Sequence, residues 1–267
     1  QAESDSLNRL VLLAGLTYEQ VSILRAYLTY WRRVSPIFTV RYFNDTLVAH
    51  PRITADLVRL FELRFDPAAD PSGYDALRAE VVERLDAVPS LDQDRILRGI
   101  LRLIEATLRT NAYRPGRGPL SFKLRSADVP DMPAPAPFVE VFVICPEVEG
   151  IHLRAGLRAR GGIRWSERRE DYRTEVLGLM KAQVTKNAII VPTGAKGGFY
   201  PKRLPRDGER DAVMAEGIAS YQTFIGALLD VTDNIVGGAV VPPANVVRHD
   251  GDDPYLVVAA DKGTASF

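Results

Sequence analysis

Four lysines and several arginines crowd among glycines in the run ARGGIRWSERREDYRTEVLGLMKAQVTKNAIIVPTGAKGGFYPKR, which starts at Ala159. Its focus is Lys196 inside Gly194-Ala195-Lys196-Gly197-Gly198, directly after the apolar stretch Asn187 to Pro192. Glycines on both sides of a lysine let the backbone turn tightly and let a small molecule approach, while one amine is held at a strand's end. Three further groups accompany it. Arg160-Gly161-Gly162 with Arg164 is a glycine-flanked cation after a strand, and Gln183 and Lys186 share one side of a helix end. Asp261, in Ala260-Asp261-Lys262-Gly263-Thr264, is a carboxylate at a strand end followed by a glycine turn. Cations that converge bind a substrate carrying carboxylates. A like charge nearby also disfavours protonation, which moves one lysine toward its neutral, reactive form.

Plainer readings apply to other residues. Lys181 and Lys202 read as solvated, and the stretch Arg164 to Arg173 mixes signs as an exposed, salt-bridged helix start does. Asp250, Asp252 and Asp253 read as turn residues. His152 and His249 have no second histidine at ligand spacing, so no metal site is expected. Cys145 falls in an apolar strand pattern and reads as a buried structural thiol.

Two kinds of element must position these groups. Up to about residue 112 the periodicity is helical: Leu7 to Trp31 (two helices if broken near Gly15, the second started by a Thr17/Gln20 capping box), Phe38 to His50, Ile53 to Phe65, Tyr74 to Leu85 and Asp92 to Asn111. Residues 113–137 read as a proline- and glycine-rich connection holding one strand, Leu120 to Leu124. From 138 to 267, with a start near 119 as the alternative boundary, strands and helices alternate. The strands are Phe138 to Cys145, Gly150 to Leu157, Asn187 to Pro192, Val236 to Val241 and Tyr255 to Ala260; the helices are Glu170 to Lys186 and Asp211 to Leu229. The expected class is a helical layer followed by an α/β domain, α+β or α/β overall.

Composition narrows the partners. The 267 residues carry 34 basic and 34 acidic side chains, so nothing favours nucleic acid or a membrane surface. No apolar run is expected to reach the roughly 20 residues of a membrane span, and the N-terminus lacks a secretory profile. One cysteine excludes an internal disulfide and fits a reducing cytoplasm. With no initiator Met and an abrupt end at Phe267, the expectation is a piece of a longer polypeptide.

The stretch Arg160 to Gly198 resembles the substrate domain of glutamate dehydrogenases, in which a Lys-Gly-Gly-x-Arg turn precedes a helix ending in lysine, a strand, and Pro-x-Gly-Gly-Ala-Lys-Gly-Gly. The whole chain is similar to the large NAD-specific enzymes of bacteria, most closely in GGIRWSERREDYRTEVLGLMKAQVTKNAIIVPTGAKGGF. The resemblance implies reversible oxidative deamination of L-glutamate to 2-oxoglutarate and ammonia. It makes Lys196 the catalytic lysine, Lys186 the ligand of the α-carboxylate and Gln183 its polar assistant. Arg160, beside Gly161 and Gly162, stands where smaller enzymes have a lysine gripping the side-chain carboxylate. Asp261 matches the general base, although an alignment through Val241-Pro-Pro-Ala-Asn245 puts Asn245 there instead. No Gly-x-Gly-x-x-Gly follows a strand, so NAD is expected to be bound mainly by a Rossmann domain outside this chain, and the chain alone is expected to be inactive. The full-length protein is expected to be a cytoplasmic homo-oligomer. Rival readings are another amino-acid dehydrogenase, an assembly module of a very long chain, and a phosphate-binding glycine loop, which lacks the P-loop spacing.

Overall fold

The computed structural model describes residues 4–116, 118–186, 193–205 and 209–267. Two compact units divide the chain, residues 1–107 with 128–132 and residues 108–127 with 133–267.

The first unit is helical, and its helices start where local chemistry allows. After a short 3₁₀ turn, α1 (Leu10–Leu13) ends at Gly15, whose φ of +66° only glycine adopts freely. α2 (Tyr18–Val34) opens with the capping box, Gln20 N donating to Thr17 Oγ1 at 3.2 Å and Thr17 N to Gln20 Oε1 at 2.7 Å. Thr39 caps α3 (Val40–Ala49), Pro51 is the first residue of α4 (Pro51–Phe65), α5 (Tyr74–Asp86) follows, and Ser90 caps α6 (Leu91–Ala106). Trp31, Tyr27, Phe43 and Phe61 are buried at its centre.

α6 stops sooner than its pattern predicts. Helical spacing carries through Leu108, but at Thr107 the backbone turns extended and Thr107–Thr110 becomes strand β1. The reason is tertiary: an extended backbone delivers the fully buried Arg109 to two aspartates and two carbonyls 122 or more residues away.

The second unit is a mixed α/β domain. Strands β2 (Leu120–Arg125), β3 (Val139–Ile144), β4 (Val148–Arg154), β5 (Ala159–Trp165), β6 (Thr193–Pro201) and β9 (Val257–Ala260) join β1 in one sheet of order β1-β2-β3-β4-β6-β5-β9. β2, β3, β4 and β6 pair antiparallel in turn, whereas β5 is parallel to both β6 and β9. α7 (Tyr172–Lys186) covers one face, with Val176 at Gly198. α8 (Arg210–Leu229) covers the other, where Phe224, Ala227 and Leu228 pack with Val143, Ile163 and Phe199.

Four sequence expectations are corrected here. Val236 to Val241 is not one strand but a hairpin, β7 (Asn234–Val236) and β8 (Ala239–Val241), because Gly237 and Gly238 both take positive φ in a two-residue turn. Arg160-Gly161-Gly162 does not follow a strand; it lies within β5. Lys196 does not sit in a turn at a strand's end but inside the nine-residue β6. α8 is, by length and composition, long and apolar enough to cross a membrane, so the chain does contain such a run; here one side of it is buried on the sheet. The strand expected at Asn187 to Pro192 lies outside the described residues.

Candidate active site

Side chains alternate across a strand, and β5 and β6 run with Arg160 opposite Gly194 and Arg164 opposite Gly198. Arg160, Gly162 and Arg164 therefore share a sheet face with Gly194, Lys196 and Gly198, the face that α7 covers. The glycines let these layers close up. A methyl group on Gly161 would stand 1.5 Å from the Ala195 carbonyl oxygen, one on Gly162 2.8 Å from Asp261 Cβ, and one on Gly194 2.9 Å from Gln183 Cγ. None of Gly161, Gly162, Gly194, Gly197 and Gly198 has the positive φ that a tight turn demands. They are kept small for packing, not for turning.

Lys196 and Asp261 meet on this face. Lys196 Nζ donates to Asp261 Oδ2 at 2.6 Å, and the two side chains are only 15% and 17% exposed, so water screens the pair weakly. Asp261 is held from several sides. Its Oδ1 accepts the Lys262 amide at 2.7 Å, its own amide donates to Thr264 Oγ1 at 3.0 Å, and that hydroxyl donates to the Ile163 carbonyl of β5. Burial pushes the Asp261 carboxyl up, but the Lys196 hydrogen bond, the Lys262 amide and the charges of Lys196 and Arg164 outweigh it and hold it below the usual carboxylate range. Of the groups that the sequence set beside Lys196, the one that pairs with it is thus the carboxylate rather than another cation.

Gln183 abuts Gly194, one helical turn before Lys186, which is exposed at the last residue of α7. Arg160 is exposed on β5. Neither Lys186 nor Arg160 makes an ion pair or hydrogen bond with Lys196 or Asp261 among the described residues. Asn245 is exposed at φ +57° in the connection after β8, and the acid at Lys196 is Asp261.

Residues 80–267 match the family described as bacterial NAD-glutamate dehydrogenase, catalytic domain, and residues 2–67 match glutamate dehydrogenase, helical motif 3. The chain belongs to the bacterial NAD-glutamate dehydrogenase family. The NAD-specific glutamate dehydrogenases of Halomonas elongata, Pseudomonas aeruginosa and Mycobacterium tuberculosis are 56%, 54% and 50% identical to it over 100% of this chain. The chain spans only 17–18% of the length of these relatives.

Members of this glutamate dehydrogenase family named here are NAD-specific, but among the described residues the glycines of β5 and β6 do not form a pyrophosphate cradle. Gly161 is filled by the Ala195 carbonyl, Gly197 by Ile163 and Gly198 by Val176, so the space a dinucleotide backbone contact needs is taken by protein.

Sequence reading missed what surrounds this family's candidate site. Arg164, read as part of an exposed, salt-bridged helix start, is only 20% exposed and pairs with Glu175 of α7, which is equally shielded. The aspartates read as turn residues anchor a buried ion network. Arg109 donates to Asp233 Oδ1 at 2.7 Å and Asp250 Oδ1 at 2.6 Å, while Lys123 Nζ lies 2.5 Å from Asp250 and 2.7 Å from Asp253. Arg154 pairs with Asp253, and Arg248 with Asp233 and Asp252. Four basic and four acidic groups thus tie the loop before β9 to β1, β2 and β4. Spacing offered no signal for it, because the acids and their main partners are about 100 or more residues apart.

His152 of β4 is buried beside this network, and its Nε2 has no hydrogen-bond partner among the described residues. Burial, with a smaller push from the Arg154 charge, lowers its pKa to about 3, with Asp253 opposing. The folded imidazole is therefore neutral where an unfolded one, with a pKa of 6.5, takes up a proton. Its contribution to stability is complete above pH 6.5 and is lost as pH falls toward 3. In urea titrations over that range, His152→Leu should flatten the decline; an unchanged pH slope would exclude His152 as its source.

Proposed function

We propose that this chain supplies the glutamate-binding and proton-transfer groups of an NAD-specific glutamate dehydrogenase, which oxidises L-glutamate to 2-oxoglutarate and ammonia. The observation that carries the proposal is the partly buried Lys196–Asp261 pair on a glycine-thinned sheet face, in a chain of this family. The Asp261 carboxylate accepts a proton from the substrate's α-ammonium group. Lys196 leaves Asp261 when substrate enters and donates a hydrogen bond to the oxygen that a water molecule brings to Cα as it adds to the imine, first in the carbinolamine and then, once ammonia has departed, in the 2-oxo product. Lys186, with Gln183 one turn earlier, binds the α-carboxylate, and Arg160 takes the side-chain carboxylate from the exposed side of β5. NAD would supply the acceptor for the hydride at Cα, and we assign its binding to a part of the protein other than these residues. A cytoplasmic location and a homo-oligomeric full-length protein belong to the same proposal. They are supported by the lone cysteine and by the exposed apolar hairpin side chains Ile235 and Val236, and fractionation and light scattering test them.

Steady-state kinetics of the full-length protein test the reading of substrate. If Arg160 grips the side-chain carboxylate, Arg160→Met lowers kcat/KM for glutamate by about 10²-fold and leaves norvaline, which has no such carboxylate, within about threefold, as expected for loss of a charged hydrogen-bonded pair. Equal losses on both substrates would mean that Arg160 does not read the side-chain carboxylate.

A further inference from the structure

Arg164 reaches the same carboxylate as Lys196, from a different strand, and has no part in the scheme above. Its guanidinium is spread between two acids. Nη1 donates to Glu175 Oε1 of α7 at 3.0 Å, and Nη2 lies 3.6 Å from Asp261 Oδ1. Glu175 is itself held, because its other oxygen accepts a hydrogen bond from Ser166 Oγ at 2.9 Å, and Ser166 is buried. The Arg164 side chain is 20% exposed, so it is not a solvated arm free to swing away.

Asp261 Oδ2 is meanwhile occupied by Lys196. A carboxylate that is to accept a substrate proton must give up that bond, and would then stand partly buried without its nearest cation. We infer that Arg164 is the positioning residue of Asp261, remaining beside the carboxylate as a second cation when Lys196 turns to the substrate, with Glu175 and Ser166 fixing the guanidinium from behind. The inference rests on the roles given to Lys196 and Asp261 under Proposed function. Among the described residues, the charged groups facing Asp261 are Lys196 from β6 and Arg164 from β5. The Lys262 amide adds a donor from the turn, and Glu175 of α7 acts through Arg164.

The test is steady-state kinetics of the full-length protein with glutamate and NAD across pH. Wild-type protein that does not oxidise glutamate removes the underlying reading before any variant is compared. If it does oxidise glutamate, Arg164→Gln should lower kcat about tenfold or more with KM for glutamate within about threefold, since Arg164 touches no substrate atom. The acid limb of the kcat/KM profile should move to higher pH, because a lost cation no longer favours the carboxylate form. Arg164→Lys should bring that limb back but not the full kcat, since an ammonium cannot span Glu175 and Asp261 together. A raised KM with unchanged kcat would make Arg164 a substrate ligand and overturn the inference; so would an acid limb that stays in place in Arg164→Gln, or one that Arg164→Lys fails to restore. Should Arg164→Gln not fold, Glu175→Gln carries the test: a severalfold lower kcat at unchanged KM supports the brace, and wild-type kinetics refute it.

Discussion

Lys196→Ala is expected to lower kcat for glutamate oxidation by about 10³-fold in the full-length protein, the middle of the range for loss of a positioned acid–base group. KM for glutamate should change far less, because the carboxylates are assigned to Lys186 and Arg160. Two consequences of the substitution act together. The developing oxygen loses its donor, and Asp261 loses the ammonium 2.6 Å from Oδ2. The fold should persist, since Lys196 is flanked by residues whose packing does not involve its amine: Ala195 and Gly197 lie against β5 through backbone and Ile163. Rapid-quench or stopped-flow measurement of the first turnover locates the loss in the chemical step. Near-normal turnover of glutamate by Lys196→Ala would remove Lys196 from the mechanism.

Arg109→Met should cost about 3–5 kcal/mol of stability, the scale seen when one partner of a buried ion pair is deleted. Arg109 and Asp233 are both 0% exposed, so methionine would leave Asp233 buried with much of its compensation gone. Asp250 would keep Lys123, and Asp233 would keep Arg248 and the Asp253 amide, which softens the loss without cancelling it. Arg41 makes the contrasting case: its pair with Asp45 is open to water on α3, and Arg41→Ala should stay within about 0.5 kcal/mol. Urea midpoints of the three proteins make the comparison, and similar midpoints for Arg109→Met and wild type would refute it. The network also sets an acid limit. Burial pushes Asp253 up, but Arg154 and Lys123 beside it hold its carboxyl at about 2. With the folded value below the unfolded 3.8, the stabilisation is complete above about pH 4 and is lost as pH falls through about 2. Acid weakening thus has two origins, His152 at higher pH and Asp253 below it.

Much of the helical unit was legible because helix starts are local. Thr17 with Gln20, Thr39, Pro51 and Ser90 act within one turn of themselves, so residue type and spacing carry the information. The sheet was harder to read for two reasons. β5 and β6 contain five glycines between Arg160 and Phe199, which erases the alternation of apolar and polar residues that marks a strand. Glycine also has the same sequence signature whether it turns the chain or admits a neighbour, and only the 1.5 Å approach at Gly161 shows that admission is its role here.

By itself the sequence determined the helical layer followed by an α/β unit and the family, and it nominated a short set of residues with chemistry to offer: Arg160, Gln183, Lys186, Lys196 and Asp261. Tertiary structure alone decided which of them touch. It joined Lys196 to Asp261 across 65 positions and brought Arg164 to that carboxylate. It also turned Asp250 and Asp253 from apparent turn residues into buried anchors of Arg109, Lys123 and Arg154. The physical reason is the same in each case. Hydrogen bonds within a helical turn are encoded in neighbouring residues, whereas the partner of a buried charge is chosen by strand order and register, which bring distant parts of the chain together.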